Sequence, residues 1–136
     1  MGTGSNVERL RQAYAGWHNT KGDPAVWGDL MADPIIFGSL GNGASGLEFS
    51  RTRVTRKDVL EYFSELARDW SMVHYRIDEY ISEGDRIVAL GECCWKNRNT
   101  GKVLTTPKAD FWRFENGKAV DFYEFYDTLQ AAGASQ

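Results

Sequence analysis

The sequence predicts an α+β domain in which three N-terminal helices pack on a strongly curved antiparallel sheet, a cone-shaped roll that encloses a pocket. Apolar residues follow helical spacing in the first half of the 136-residue chain and alternate in the second half. Tight-turn signals such as Asn116-Gly117 join the later strands into an antiparallel meander. Pro107, which lacks an N–H, predicts a bulge or an edge within that meander.

Apolar faces and capping residues place the helices. The first helix spans Val7 to Asn19, and a short second helix follows Asp23-Pro24 and ends before Asp33-Pro34. Thr55 caps the third helix. The buried stripe predicted for the third helix comprises Val59, Phe63, Leu66, Ala67 and Trp70.

Five segments are predicted to be strands. They are Ile35–Phe37, Met72–Ser82, Arg86–Lys96, Val103–Glu115 and Lys118–Asp127. In the second strand, alternation places Val73, Tyr75, Ile77 and Ile81 on one face and His74 on the other.

Length and composition indicate one domain, residues 7–130, between a flexible leader (1–6) and a flexible tail (131–136). A net charge of −3 gives no basic face for nucleic acid. The basic residues Arg51, Arg53, Arg56 and Lys57 are interpreted as a solvated loop. Neither a long apolar run nor a basic signal region occurs, so we expect no membrane partner and a cytoplasmic location. We also expect no metal and no cofactor, because the two histidines are distant from each other and no motif for either kind of group is present.

Two segments carry a family resemblance. They are residues 29–37, Asp-Leu-Met-Ala-Asp-Pro-Ile-Ile-Phe, and the block from Ala109 to Thr128. With the order of elements, they make the chain similar to the nuclear transport factor 2-like superfamily, and most similar to its SnoaL-like and ketosteroid-isomerase-like branch. The resemblance implies a small-molecule pocket and a homodimer, while the reaction differs between members of the superfamily.

Asp110 is the first candidate for catalysis. Alternation puts it on one strand face with Trp112 and Phe114, where a carboxyl faces an apolar pocket or serves as a hydrogen-bonded structural group. The resemblance to ketosteroid isomerases, which are a worked example of this chemistry, implies that Asp110 and Tyr14 stabilise a developing oxyanion. Tyr14 also lies on the apolar face of the first helix, so a core tyrosine is the alternative.

Glu124 is the candidate proton acceptor. The isomerase base would fall at Gly38, Ser39 or Leu40, none of which is a carboxylate, so steroid isomerisation is not expected. Glu124 shares a strand face with Phe122 and Tyr126 and matches an acid of SnoaL-like proteins.

Large apolar residues on the same faces are predicted to line the pocket. They are Trp17, His18, Trp27, Met31, Phe37, Phe63, Trp112, Phe114, Phe122 and Tyr126. Phe111, Tyr123 and Phe125 lie on the opposite sheet face, which predicts a homodimer through that outer face.

Two functions remain open from the sequence. One is a cofactor-free acid/base enzyme of the isomerase, cyclase or dehydratase type, acting on a small hydrophobic carbonyl compound. The other is a non-catalytic ligand-binding or dimerisation module of the same fold. An open hollow containing two or more carboxyls favours the enzyme, and a closed, filled interior favours the module.

Overall fold

The computed structural model describes residues 3–136, and the side chains from Asn6 onward. Within residues 3–136, three α-helices and five strands make up the fold. In chain order they are α1 (Thr3–Asn19), β1 (Met31–Ser39), α2 (Arg56–Asp69), β2 (Trp70–Glu83), β3 (Arg86–Asn97), β4 (Val103–Glu115), β5 (Lys118–Phe125) and α3 (Thr128–Ala134). Short 3₁₀ helices cover Pro24–Leu30 and Glu48–Ser50.

The first helix buries one stripe of residues against the sheet. Leu10, Ala13, Tyr14 and Trp17 recur at helical spacing and are all buried. The leader was predicted to extend to residue 6, but the helix already begins at Thr3 and Asn6 is buried. Residues 1–2 lie outside the described part of the chain.

The predicted short second helix is present after its Asp23 cap, but it is a 3₁₀ helix and it ends earlier than the predicted stop at Asp33-Pro34. The segment forms a 3₁₀ helix, capped by the Asp23 carboxylate accepting from the Ala25 amide, and it ends at Leu30. Strand β1 then begins at Met31 and continues through a cis Asp33–Pro34 bond. The residue before a proline avoids helical backbone angles and readily adopts the extended backbone of a strand.

The third predicted helix is α2, and Thr55 caps it by accepting from the Asp58 amide. Its buried side chains are Val59, Tyr62 and Phe63. Trp70 is buried as the first residue of β2 rather than as the last residue of the helical stripe. Ala67 is exposed.

The five strands form one curved, open sheet in the order β1-β5-β4-β3-β2. All neighbouring pairs are antiparallel except β1 and β5, which are parallel. The parallel pairing brings the first strand beside the last, because Ser39 lies opposite Glu124. The α+β prediction is therefore confirmed, with one parallel pair added to the predicted antiparallel sheet.

Two irregularities in β2 overturn its predicted alternation. The register with β3 shifts between Met72 and His74 and again between Ile77 and Glu79. Each bulge moves later side chains to the other face of the strand. Tyr75 is buried as predicted, but Val73 and Ile81 are about half exposed, at 47% and 55%.

The turn between β4 and β5 forms as the sequence predicts. Asn116 and Gly117 both have positive φ, as the predicted two-residue hairpin requires. Pro107 pairs with β3 in the stretch of β4 that extends beyond the end of β5, so it interrupts no β4–β5 hydrogen bond. A register shift after Arg113 lies beside Ala119, which is completely buried in the core.

The basic segment before and at the start of α2 is solvated only in part: Arg51 and Lys57 are exposed as predicted, but Arg53 is completely buried. Its guanidinium donates to Glu65 at 2.6 Å and to the Phe49 carbonyl at 2.7 Å, and it also contacts Asp58 at 3.3 Å. A buried guanidinium needs such partners, since an unpaired charge in the interior is costly. Arg53 thereby joins the loop to α2.

The last residues form the short helix α3 rather than the expected flexible tail. Ala131 and Ala134 are buried, and the Thr100 hydroxyl donates to the Ala134 carbonyl. This helix therefore closes over the β3–β4 hairpin. In the described residues, no helix combines the length and apolar character needed to cross a membrane.

Candidate functional site

A buried ion cluster lies on the inner face of β4 and β5. Asp110 and Glu124 are directly opposite each other across these strands, an arrangement that repels when both carboxylates are ionised. Lys108, two residues before Asp110 and on the same face, lies between them. Its ammonium is 2.6 Å from Asp110 Oδ1 and 2.9 Å from Glu124 Oε1, and all three side chains are almost fully buried.

Asp110 is held by hydroxyl groups as well as by the ammonium. Its Oδ2 accepts hydrogen bonds from Tyr14 at 2.6 Å and from Tyr75 at 2.8 Å. The indole of Trp112 donates to the Tyr14 hydroxyl at 2.9 Å. Asp110 thus acts as an acceptor for three donors, one each from α1, β2 and β4.

Glu124 has fewer polar contacts. Its Oε2 accepts from the Tyr62 hydroxyl at 2.7 Å, while Oε1 faces Lys108. The buried guanidinium of Arg53 lies 6.0 Å from the Tyr62 ring centre, where a cation–π attraction helps to hold the tyrosine in place. A carboxylate offers about four acceptor positions, so Glu124 has capacity for a ligand donor.

The donors in the cluster are fully engaged. Three oxygens lie within 2.9 Å of the Lys108 ammonium, which has three N–H groups: Asp110 Oδ1, Glu124 Oε1 and the Tyr75 hydroxyl. Each of the three phenols donates to a carboxylate. A ligand that accepts a hydrogen bond must therefore displace a contact, whereas a ligand that donates one finds Glu124 available.

The cluster keeps its phenols neutral and its amine charged. Burial, followed by the charges of Asp110 or Glu124, raises the pKa of Tyr14, Tyr62 and Tyr75 well above their usual value. Burial alone would lower the pKa of Lys108, but the two carboxylates together raise it well above the ordinary value. Lys108 is therefore a fixed positive charge at neutral pH and not a nucleophile.

The cluster forms the polar wall of a small cavity of about 80 Å³. The other walls are aromatic and aliphatic, and all five tryptophans of the chain line them. Rings pack edge to face around the space, with Tyr14 and Trp27 centroids 5.0 Å apart and those of Trp17 and Phe63 5.4 Å apart. The site is thus an aromatic cavity with a charged wall.

The family of the chain follows from comparison with known proteins. A model of the SnoaL-like domain matches residues 8–122. The chain belongs to the SnoaL-like domain family. No curated protein matches it.

Solved structures share the fold of this SnoaL-like protein. A nuclear transport factor 2-like protein of unknown function from Burkholderia pseudomallei K96243 is 25% identical, with a TM-score of 0.82. Another nuclear transport factor 2-like protein, from Burkholderia thailandensis E264, is 26% identical, with a TM-score of 0.81. TerC, co-crystallised with polyporic acid, is 19% identical, with a TM-score of 0.79. Each alignment covers 96% of this chain and 97% of the other.

The structure of this SnoaL-like protein brings the three candidate catalytic residues, Tyr14, Asp110 and Glu124, to one wall. Of the predicted pocket residues, Trp17, Trp27, Met31, Phe37, Phe63, Trp112, Phe122 and Tyr126 line the cavity.

Two predicted pocket residues are not among those that line the cavity. Phe114 is buried in the core, where it stacks on Trp112. His18 is half-buried and accepts the Tyr75 amide at 3.1 Å, so it connects α1 to β2.

Sequence reasoning missed five polar residues that line the SnoaL-like site: Lys108, Tyr62, Tyr75, Cys93 and Thr106. One signal for Lys108 was available, since it alternates with Asp110 and Trp112 on β4. Tyr62 and Tyr75 carried no such signal, because only the packing of α2 and β2 against the sheet brings their hydroxyls to the carboxylates.

The position expected for the isomerase base is polar but uncharged. Ser39 is buried, and its hydroxyl lies 2.9 Å from the Tyr126 hydroxyl. Within the described part of the chain, no group of three His, Cys, Asp or Glu side chains is placed to hold a metal ion.

Proposed function

We propose that this protein binds a small carbonyl compound in the aromatic cavity and exchanges a proton with it through Glu124. The observation that carries the proposal is the asymmetry of the two carboxylates. Asp110 accepts from three donors, whereas Glu124 has two polar contacts and unused acceptor positions. A buried carboxylate with room to accept is the group that general-base chemistry needs.

The ion cluster supplies charge stabilisation for such a step. When Glu124 takes a proton from the carbon beside a carbonyl, it becomes neutral and its attraction for Lys108 weakens. The ammonium N–H that faced Glu124 at 2.9 Å is then free to donate to the developing enolate oxygen. The negative charge moves from Glu124 to the ligand, so the net charge of the site does not change.

Lys108 and Asp110 then have roles that differ from those implied by the family resemblance. Lys108 takes the oxyanion-stabilising role that the resemblance assigned to Asp110 and Tyr14. Asp110 becomes a positioning residue, because it fixes the ammonium at 2.6 Å and is itself fixed by Tyr14 and Tyr75.

The comparisons support a small-molecule role of this general kind. The SnoaL-like family match covers most of the chain, and TerC, of the same fold, was co-crystallised with the small molecule polyporic acid. At 19% identity, TerC lends support to the fold and not to a ligand of the same structure.

The test is deuterium exchange in heavy water, followed by proton NMR on a series of ketones from acetone to cyclohexanone. We expect the protein to accelerate exchange at the α-carbon for the smallest members, since the cavity is only about 80 Å³. Glu124→Gln should lower the exchange rate by about 10²–10⁴-fold, the usual contribution of a general base. Glu61→Gln, on the exposed face of α2, is the matched control and should retain full exchange.

The second candidate function is ligand binding without catalysis. It is favoured by the ion cluster, because every hydrogen-bond donor described there already has a partner within the protein. In that case ketones would raise the melting temperature of both the wild type and Glu124→Gln, while neither protein would accelerate exchange. Acceleration that survives Glu124→Gln would instead show that the proton acceptor has been assigned to the wrong residue.

We also propose a homodimer through the outer sheet face. Phe125 is 45% exposed there, and its ring lies 4.9 Å from that of Tyr123. A groove of about 700 Å³ beside it is lined by Leu90, Pro107 and Ala109. An exposed apolar surface of this kind is typical of an interface. Sedimentation should show a dimer at tens of micromolar, and a Phe125→Asp monomer would locate the contact.

A further inference from the structure

The polar wall of the aromatic cavity has two carboxyl groups but only one amine. Two carboxylates, Asp110 and Glu124, face one ammonium, Lys108. Their ionised forms leave a net charge of −1 among side chains that are at least nine-tenths buried. An unbalanced charge in the interior is costly, so the site favours any ligand that brings a positive charge.

The surrounding groups do not supply that positive charge. The titratable groups that face the carboxylates from the other elements are Tyr14, Tyr62, Tyr75, Tyr80, Cys93 and Tyr126. Each is neutral at physiological pH, since burial is the largest effect on every one of them and raises the pKa of the Cys93 thiol to about 12. Arg53, behind Tyr62, is already paired with Glu65 and Asp58.

The remaining walls also suit a cation. The faces of aromatic rings attract a positive charge within about 6 Å, and the attraction is largest where water is excluded. Trp17, Trp27, Trp70, Trp95 and Trp112 all line the space. An aromatic enclosure beside an unbalanced carboxylate combines two independent attractions for the same kind of ligand.

The size of the cavity and its free hydrogen-bonding positions narrow the class of ligand. A cavity of about 150 Å³ accepts benzene, which has six non-hydrogen atoms, so one of about 80 Å³ has room for roughly three to four. Glu124 has unused acceptor positions, while the donors of the cluster are all engaged. The favoured ligand is therefore small, positively charged, apolar on its outside and able to donate one hydrogen bond.

We infer that the cavity binds a small alkylammonium ion such as trimethylammonium, with its N–H donated to Glu124 and its methyl groups against the tryptophans. This rests on the proposed function in that the same cavity and the same carboxylate receive the ligand. In such a complex the cation would occupy the position that a carbonyl substrate needs, so the two ligands would compete.

The test compares three probes by tryptophan fluorescence and isothermal titration calorimetry on the full chain at pH 7. Trimethylammonium carries both a charge and an N–H, tetramethylammonium carries the charge alone, and 2-propanol, which has as many non-hydrogen atoms as trimethylammonium, carries a donor without a charge. Trimethylammonium should bind at least about tenfold tighter than 2-propanol, because one desolvated charge contact is worth that much. Tetramethylammonium should bind more weakly than trimethylammonium because it is larger and lacks the N–H, and sodium chloride at the same concentrations should change neither the fluorescence nor the heat of titration.

Two variants test whether the cation contacts Glu124. Glu124→Gln should bind trimethylammonium and 2-propanol with similar affinity, and Glu61→Gln should keep the tenfold preference. Equal binding of the charged and neutral probes to the wild type would overturn the inference, and this comparison needs no variant to fold. A preference that persists in a folded Glu124→Gln would also overturn it.

The two proposals fail separately. Ketone exchange without cation binding would remove this inference and leave the proposed function. Cation binding that competes with no ketone, in a protein that exchanges none, would support the charged-ligand site and remove the proposed proton transfer.

Discussion

Replacing Lys108 with methionine should destabilise the protein by about 3–5 kcal/mol at pH 7, the cost of leaving buried charges without their partner. The lysine side chain is 6% exposed and contacts three oxygens at 2.6–2.9 Å. Methionine keeps most of the side-chain volume of Lys108, so the loss of unfolding free energy measures the removed charge rather than a change in packing. Asp110 and Glu124, directly opposite each other, would then repel across the strands.

The assay is urea unfolding at equilibrium, followed by tryptophan fluorescence. Lys96→Met, at an exposed position of β3, is the matched control and should change stability by less than about 0.5 kcal/mol. The double variant Lys108→Met/Glu124→Gln should recover part of the loss, since one carboxylate with two phenol donors then remains. A loss below about 1 kcal/mol in the single variant would refute the view that the ammonium holds the carboxylates together.

The remaining predictions concern packing and alkaline stability. Gly91→Ala should cost at least about 2 kcal/mol, because the new Cβ would lie 1.8 Å from the backbone oxygen of Arg76, whereas Gly28→Ala meets nothing and should be neutral. Phe63→Ala should cost about 3–5 kcal/mol in urea melts and Leu60→Ala, at an exposed position of the same helix, far less. The raised pKa values of the three cluster tyrosines give stability that is complete below about pH 10 and falls above it by about 4 kcal/mol per pH unit. Absorbance at 295 nm should show these phenols ionising only with unfolding, and reversible ionisation in the folded protein would contradict their burial.

Local chemistry made much of the fold predictable. The Thr55 cap and the Asn116-Gly117 turn each depend on residues adjacent in the chain, and both occur as predicted. The bulges in β2 do not have such a local origin. They depend on how β2 pairs with β3, and they reversed the predicted faces of Val73 and Ile81. The second bulge lies beside Gly91, where an added Cβ would clash with the β2 backbone.

The candidate site was predictable only where one strand carries it. Asp110 and Glu124 were found because a charge among aromatics stands out in an alternating pattern. Lys108 was passed over although it follows the same alternation, because a lysine in a strand is usually solvated. The hydroxyls of Tyr62 and Tyr75 reach the carboxylates from separate elements, and no spacing in the sequence encodes that convergence.

The parallel pairing of β1 with β5 has a consequence for how the protein is made. Ser39 is synthesised well before its neighbour Glu124, which follows it after three further strands. Until then β1 lacks its strand partner, and its free edge can pair with other chains. Contacts so distant in sequence also slow folding. The chain is thus most vulnerable to aggregation between translation of its first strand and docking of its last, and truncations before residue 118 should accumulate as insoluble protein.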